Sequence, residues 1–288
     1  MAKKILICGA TSFVAKGFYD LLKDSGYEVE TFSRGNAPSR EGGRVKGVYT
    51  EIDKNQELAE QYDAVVNFAV LKDQSPEENV KYAEALVRMC REHGVKKLIH
   101  FSSIMVYSHH VGVVNENAQI ERSEDTTMKG YGMLKIKVDE YLMAQRDKVP
   151  FEIVLVRPGF VLAQGMVSPF IKHLAGPVSV ILGNKDSRMP IVRREDIHQA
   201  LVRIIETERN LPVYMFYPND DMTKYRYAKK SVGGMILTLP KWLFCGIPSI
   251  MTKMHIMPQS LFSRFEGMFN ENRFESVETE KKLNFKFQ

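Results

Sequence analysis

What most restricts the fold of this chain is an alternation. Short apolar runs of strand length are separated by stretches with helical periodicity, and the pattern continues to about residue 160. The runs KKILICGA, YEVETFSR, GVYTEID, DAVVNFAV, KKLIHFSS and FEIVLVRPG read as strands. Phe13 to Asp24, a stretch near NQELAEQ, Asn79 to His93, and Met128 to Gln145 read as helices. Asn79 to His93 is apolar at Val80, Ala83, Leu86, Val87 and Cys90, and Gly94 stops it. DAVVNFAV is apolar almost throughout, as a strand covered on both faces must be. Strands alternating with helices build an α/β fold with a doubly wound parallel sheet.

After Gly159 the pattern loosens into sequence rich in Pro, Met and aromatics. The expected division is a sheet domain over 1–160 and a smaller substrate-binding portion over 161–288. A helical segment near 189–207 should pack back on the sheet. A chain of 288 residues suits one large α/β domain or a domain with a cap.

Apolar residues make up 44% and charged residues 26%, the balance of a soluble globular protein. The formal charge of +5 suits an anionic ligand and lacks the concentration that nucleic-acid binding needs. Cys8, Cys90 and Cys245 are odd in number and far apart, which fits a reducing compartment, and the expected location is the cytoplasm. The run ILIC is too short for a secretory signal and reads as a strand. The longest apolar stretch, residues 232–257, is interrupted by Pro240, Lys241, Pro248 and Lys253. It reads as a hydrophobic cap over the site. The alternative is a lipid-facing segment, with Trp242 and Phe244 between lysines at an interface. His109 and His110 are adjacent and have no cysteine or carboxylate cluster beside them, so no metal site is expected.

The first strand leads into GATSFVAKGF. A dinucleotide-binding turn uses three glycines: one turns the chain, one lets the pyrophosphate reach the backbone, and one lets the helix close on the strand. Gly9 fills the first role, while Ser12 and Ala15 stand at the other two. Alanine intrudes by one methyl, and the Ser12 hydroxyl can contact a phosphate. The expected sheet is therefore of the Rossmann type. At the end of the second strand stand Ser33 and Arg34, without the acid that an NAD ribose prefers. A hydroxyl and a guanidinium suit the extra phosphate of NADP. NADP(H) is favoured, with NAD(H) as the alternative. Arg40, Arg44 and Lys46 follow in a polar loop.

YGMLK places Tyr131 and Lys135 four apart, on one face of a helix. Tyr19/Lys23 and Tyr225/Lys229 share that spacing. Only Tyr131 follows a strand that ends in Ser102 and Ser103, at the sheet edge where open α/β folds bind ligands. A free tyrosine titrates near pKa ~10, and a neighbouring ammonium lowers that toward neutrality. A hydroxyl beside the pair would polarise a substrate carbonyl.

Taken in order, GATSFVAKGF, DAVVNFAV, Asn79, FSSIMVY, YGMLK, VRPGFVL and SRMPIVRREDI resemble the extended short-chain dehydrogenase/reductase family, the nucleotide-sugar epimerase/dehydratase/reductase group. The resemblance implies Tyr131 as catalytic acid/base, Lys135 as its partner and Ser103 as the hydroxyl on the substrate carbonyl. Ser103 is preferred to Ser102 because the family's residue lies four before the tyrosine matched by Tyr107. It further implies cofactor contacts from Gly9, Thr11, Ser12, Phe13 and Val14, from Ser33, Arg34 and Asp53, and from Phe68, Ala69 and Val70. Pro158, Phe160 and Val161, with Tyr131 and Lys135, complete that set. Gln164, Ser168, Arg188 and Arg264, with Ser103, are the expected substrate contacts.

Sugar dehydratases of the group carry an Asp-Glu pair just after the serine, whereas this chain has Ile104 and Met105. That argues against a 4,6-dehydratase. The remaining readings are an NADP(H)-dependent reductase of a nucleotide-sugar keto group and an NAD-dependent nucleotide-sugar 4-epimerase. A reductase of a lipid-linked or sterol-like substrate would need residues 232–257 to meet lipid. A non-catalytic NADP-binding sensor would ordinarily lack the tyrosine or the lysine. The tail FNENRFESVETEKKLNFKF resembles that of polysaccharide-cluster ketoreductases, with Asn284 and Phe285 where those end in Gly-Trp. The resemblance also implies a homodimer.

Overall fold

The structure is a computed structural model. It describes residues 2–35, 39–41, 43–59, 61–107, 112–126, 128, 130–163, 174, 178–220, 222–239 except 232–234, and 272–288. The first six strands, β1 (Lys4–Cys8), β2 (Glu28–Arg34), β3 (Ser39–Glu41), β4 (Arg44–Gly47), β5 (Ala64–Asn67) and β6 (Lys97–Phe101), all enter one sheet. β7 (Val113–Val114) stands apart, and β8 (Glu152–Pro158) returns to the sheet. β9 (Phe160–Leu162), β10 (Val178–Leu182) and β11 (Ile191–Arg193) stand apart again, and β12 (Val213–Phe216) forms the sheet's last edge. β13 (Met235–Leu239) and β14 (Arg273–Phe274) pair elsewhere.

The sheet order is β12-β8-β6-β5-β1-β2-β4-β3. β1 pairs in parallel with β2 on one side and β5 on the other, so the winding reverses there. β5 with β6, β6 with β8, and β2 with β4 are also parallel, and β3 runs antiparallel on β4. This is the doubly wound α/β sheet that the alternation of apolar runs predicts. β5 and β6 are buried at every residue, and β1 and β8 at every residue but the first, as expected for strands covered on both faces.

Among the described residues four α-helices lie between β1 and β12: α1 (Phe18–Asp24), α2 (Pro76–Glu92), α3 (Tyr131–Gln145) and α4 (Arg194–Glu206). α2 begins three residues before the expected Asn79 because its start is strongly specified. Pro76 occupies the first turn, the Ser75 hydroxyl accepts the Glu78 N–H at 3.2 Å, and Glu77 and Glu78 face the positive end of the dipole. α1 starts five residues after the expected Phe13. Gly17, at φ +90°, takes the left-handed conformation and interrupts any helix that would run through it. Residues 49–54, expected in part as a strand, form a 3-10 turn, and no helix forms near NQELAEQ among the described residues. Asn55 is the reason for both. Its amide donates to Lys46 O at 3.0 Å and its carbonyl oxygen accepts the Glu57 N–H at 3.0 Å, which turns the chain. α3 begins at Tyr131 rather than Met128, after Gly130 at φ +63°.

The chain divides into two compact units. The first comprises Met1–Ser103, Met133–Arg157 and Asp196–Tyr214 and contains most of the sheet. The second comprises Ile104–Gly132, Pro158–Glu195 and Met215–Gln288. Within the second, β9 pairs in parallel with β11, β10 with β13, and β7 with β14. Leu174, Ile181, Met189, Ile191, Tyr227 and Ala228 make its core cluster, flanked by Phe160 and Leu162. Of residues 232–257, the only long described piece is β13. The Asn284 that replaces a glycine in the tail ends the C-terminal helix Val277–Leu283 at φ +45°. Asparagine tolerates this left-handed position better than most residues, which accounts for the exchange.

Candidate active site

In the first unit the strand registers align Cys8 with Phe32, Cys8 with Asn67, and Asn67 with His100. The residues that follow therefore emerge together at the carboxyl edge: Gly9, Ser33 and Arg34, Phe68 to Val70, and Ser102 and Ser103. The crevice between the ends of β1 and β5, where the winding reverses, is where an open α/β sheet accepts a dinucleotide.

The turn after β1 is built to let a ligand approach. Gly9 has φ +76°, and a Cβ there would lie 2.8 Å from Ala69 N and 2.9 Å from Ala69 Cα. Only glycine meets both demands. The Ser12 N–H donates to Gly9 O at 3.0 Å, and the Ser12 hydroxyl accepts the Ala15 N–H at 3.3 Å. Ser12 thus holds the turn together, and its hydroxyl proton still has a direction to choose. Ala15 is buried, so the third position has room for a methyl and little else. Because α1 begins only at Phe18, the turn itself, not the first turn of α1, brings backbone N–H groups to this edge. His198 on α4 donates from Nε2 to Val14 O at 2.7 Å and braces the turn from below.

The opposing loop after β5 is clamped by two buried asparagines. Asn67 Oδ1 accepts the Ala69 N–H at 3.0 Å and the Tyr82 O–H at 2.8 Å. Asn79 Oδ1 accepts the Leu71 N–H at 2.9 Å, and its amide donates to Leu71 O and Ser75 O, both at 3.0 Å. Asp53 holds Arg88 through Oδ2 at 2.7 Å, while its buried Oδ1 has no hydrogen-bond partner among the described residues. Arg34 is exposed at the end of β2, and Ser33 is half-buried beside it. Cys8, under the turn, is fully buried, and burial pushes its thiol up to about 12, so it is inert packing.

α3 carries a contrast. Tyr131, at its first residue, is 38% exposed, whereas Lys135, one turn on, is 1% exposed. Lys135 Nζ donates to Phe101 O at 2.5 Å. Burial pushes Lys135 down to about 8, the charge of Asp139 pulls it back up, and Lys72 adds to the fall. Asp139, a further turn on, is 0% exposed. Its Oδ2 accepts the Ser102 hydroxyl at 2.8 Å and Arg157 from Nε at 3.0 Å and Nη2 at 2.9 Å. Burial raises the Asp139 carboxyl despite the opposing pull of Arg157 and Ser102.

The expected residues Gly9, Thr11, Ser12, Phe13, Val14, Ser33, Arg34, Asp53, Phe68, Ala69, Val70, Ser103 and Lys135 all belong to the first unit. Tyr131, Pro158, Phe160, Val161 and Arg188 are assigned to the second. There Phe160 and Val161 form β9, Pro158 ends β8, and Arg188 bridges to Thr223 through its backbone. Gln164, Ser168, Arg264, His109 and His110 lie outside the described residues, as does the Arg40 side chain. Asn67, His100, Asp139 and Arg157 were not anticipated. Their signal is a polar residue inside an apolar run, in VVNFAV and LIHFSS, and an acid four residues after Lys135. Among the described residues no group of three His, Cys, Asp or Glu side chains could hold a metal ion, and no helix is long and apolar enough to cross a membrane.

A reversed-winding parallel sheet with a glycine turn at β1 and a buried lysine on the helix before β8 defines a nicotinamide-dinucleotide enzyme of the extended short-chain dehydrogenase/reductase type. The chain belongs to the NAD dependent epimerase/dehydratase family, whose model matches residues 5–216. No curated protein matches it. Among solved structures, the Bordetella bronchiseptica enzyme WbmG in complex with NAD superposes with a TM-score of 0.70 at 14% identity, covering 100% of this chain and 90% of that one. UDP-N-acetylglucosamine 4-epimerase from Bacillus cereus gives 0.65 at 15% identity, covering 100% and 94%. The human epimerase family protein SDR39U1 (isoform 2) with NADPH gives 0.65 at 17%, covering 99% and 95%. At these identities the likeness is one of fold.

Proposed function

We propose that the protein is an NADP(H)-dependent oxidoreductase that reduces a keto group on a nucleotide sugar. The observation that carries this reading is Lys135: a lysine buried at the carboxyl edge of the sheet, one turn after an exposed tyrosine. Burying an ammonium is costly, and the chain maintains one here with an aspartate one turn further on.

The residues present fit a nicotinamide dinucleotide. Gly9 lets the turn after β1 close on the Ala69 backbone at this edge, and the buried Asp53 Oδ1, without a hydrogen-bond partner among the described residues, is an acceptor for a ligand donor. Thr11, Ser12, Phe13 and Val14 would hold the pyrophosphate, and Phe68, Ala69 and Val70 would line the way to the ring. Ser33 and Arg34 would take a 2′-phosphate, Arg34 as a charged fork. Pro158, Phe160 and Val161 would complete the nicotinamide end. Bound there, the cofactor supplies the hydride.

The protein's own part is proton management. Protonated Lys135 favours the phenolate of Tyr131 and so makes Tyr131 a better acid near neutral pH. Tyr131 gives its proton to the oxygen that becomes the alcohol. Ser102 donates to Asp139, and the half-buried Ser103 is the hydroxyl that would orient the carbonyl. Arg188 would meet the substrate diphosphate, and Gln164, Ser168 and Arg264 are proposed with it from sequence alone. Ile104 and Met105, which follow the serines, offer no acid/base pair for eliminating water.

The test is a titration of purified protein with NADPH and NADH, followed by nicotinamide fluorescence, then a panel of 4-keto nucleotide sugars. NADPH should bind more tightly, Arg34→Ala should erase the preference, and Tyr131→Phe should abolish turnover. Tightly held NAD that does not exchange, with interconversion of 4-hydroxy epimers, would replace the reductase reading with an epimerase.

A further inference from the structure

Behind Lys135 lies a donor without an acceptor. His100, the penultimate residue of β6, is 4% exposed, and its Nε2 has no hydrogen-bond partner among the described residues. Its neighbours fix the tautomer. Asn67 Oδ1 accepts the Ala69 N–H, a group that can only donate, so the Asn67 amide nitrogen is the atom 3.0 Å from His100 Nδ1. An amide NH2 also only donates. Nδ1 therefore accepts, and the ring proton sits on Nε2. Burial, and then the charge of Lys135, hold the ring well below its ordinary pKa, so it is neutral. A buried N–H of this kind in a native protein is almost always satisfied, by protein or by ordered water.

The ring also lines a cavity, shared with Ala69, Val70, Asn79, Leu134 and Lys135. The space open to water centres is about 10 Å3, room for one molecule. We propose that a single buried water bridges His100 Nε2–H and the Lys135 ammonium in this cavity, making His100 a positioning residue for Lys135. One lone pair of the water takes the His100 proton donor and the other an N–H of Lys135. That contact returns part of the solvation that burial removes from the ammonium. The titratable and charged groups around Lys135 are Tyr131 and Asp139 on its own helix, Lys72 after β5, Tyr82 on α2, and Arg157 on β8, bound to Asp139. Asp139 favours the cation and Lys72 opposes it, so a neutral dipole on the β6 side has influence.

The site itself is tested without any substrate. Nitrogen-15 NMR of the full chain should show His100 as the Nε2–H tautomer, and a high-resolution crystal structure should show a water within hydrogen-bond distance of both nitrogens. An Nδ1–H tautomer, or a dry cavity, overturns the proposal. The kinetic consequence rests on the reading of Lys135 as the partner of Tyr131. His100→Phe keeps a ring and removes the donor; His100→Gln restores an N–H. The alkaline limb of kcat for keto reduction should fall by about one pH unit in His100→Phe and partly return in His100→Gln. KM and NADPH affinity should hold. An unmoved limb in a folded His100→Phe overturns the positioning role. If that variant does not fold, a limb in His100→Gln that departs from wild type by less than a third of a unit, with the water retained, supports it, and loss of the water overturns it. Absence of turnover by wild type on every substrate would sink the proposed function, while the tautomer and the water would still decide the site.

Discussion

The most informative perturbation is to dismantle the ion pair under α3. Asp139 and Arg157 have side chains 0% and 3% exposed, and three hydrogen bonds converge on Asp139 Oδ2. Asp139→Leu leaves a guanidinium buried with its main partner gone, which costs about 3–5 kcal/mol. The Ser102 hydroxyl loses its acceptor in the same step and adds to that cost. Domains are stable by only about 5–15 kcal/mol, so the single variant should lose a third or more of its stability. The double variant Asp139→Leu/Arg157→Met should behave differently. Burial raises the Asp139 carboxyl even with Arg157 against it, and a buried ion pair can often be replaced by apolar groups at little cost. Replacing both with apolar groups should return the protein to within about 1 kcal/mol of wild type. Urea denaturation of the four proteins in the cycle, followed by circular dichroism, gives the coupling, expected to be about 5 kcal/mol or more, since each single variant strands a buried partner and the double strands none. If Asp139→Leu alone lies within about 1 kcal/mol of wild type, or the double variant is as damaged as the single ones, the reasoning is wrong.

Two further predictions concern the edge of the sheet. Lys135 titrates near 8 when folded and near 10.5 when unfolded, so between those values the unfolded chain binds more protons and wild-type stability rises with pH. Measured against Lys135→Met, the gain should be on the order of 3 kcal/mol, and a difference that stays flat from neutral to alkaline pH would refute the burial of the charge. Gly9→Ala must adopt a left-handed backbone, at about 1–2 kcal/mol, and push its Cβ against the Ala69 backbone, at about 1–3 kcal/mol more. The denaturation midpoint should drop accordingly and NADPH affinity fall at least about tenfold; a variant with wild-type values in both assays would show that the turn is more yielding than its geometry.

The sheet was legible because its inner strands β1, β5, β6 and β8 are buried almost throughout, which writes them as predominantly apolar runs such as KILIC and AVVN. The edges of elements were less so. Nothing local in SFVAKGF announces that Gly17 adopts a left-handed conformation, and the helical look of NQELAEQ is overridden by a side chain, Asn55, that reaches back to Lys46. In the site, Tyr131 and Lys135 are visible because they act along one helix, where spacing is geometry. Asn67 and His100 meet across two strands, and Asp139 meets Arg157 from helix to strand, so each pairing depends on packing that no short window contains. The exception is Asp139 itself, which stands at helical spacing from Lys135 and could have been read from it.

The two margins of the central sheet are finished by different means. At one, β3 is a three-residue strand of Ser39, Arg40 and Glu41 laid antiparallel on β4. At the other, the outward Met215 N–H of β12 donates to Thr279 Oγ1 at 2.9 Å, from a C-terminal helix in which Thr279 is wholly buried. An unpaired strand margin is a template for a neighbouring molecule. The first turn of the helix Val277–Leu283 therefore occupies this margin at Met215 as well as contributing to the fold. A protein shortened before Val277, or fused to a partner that pulls this helix away, would uncover the VYMF strand and offer it to the next copy.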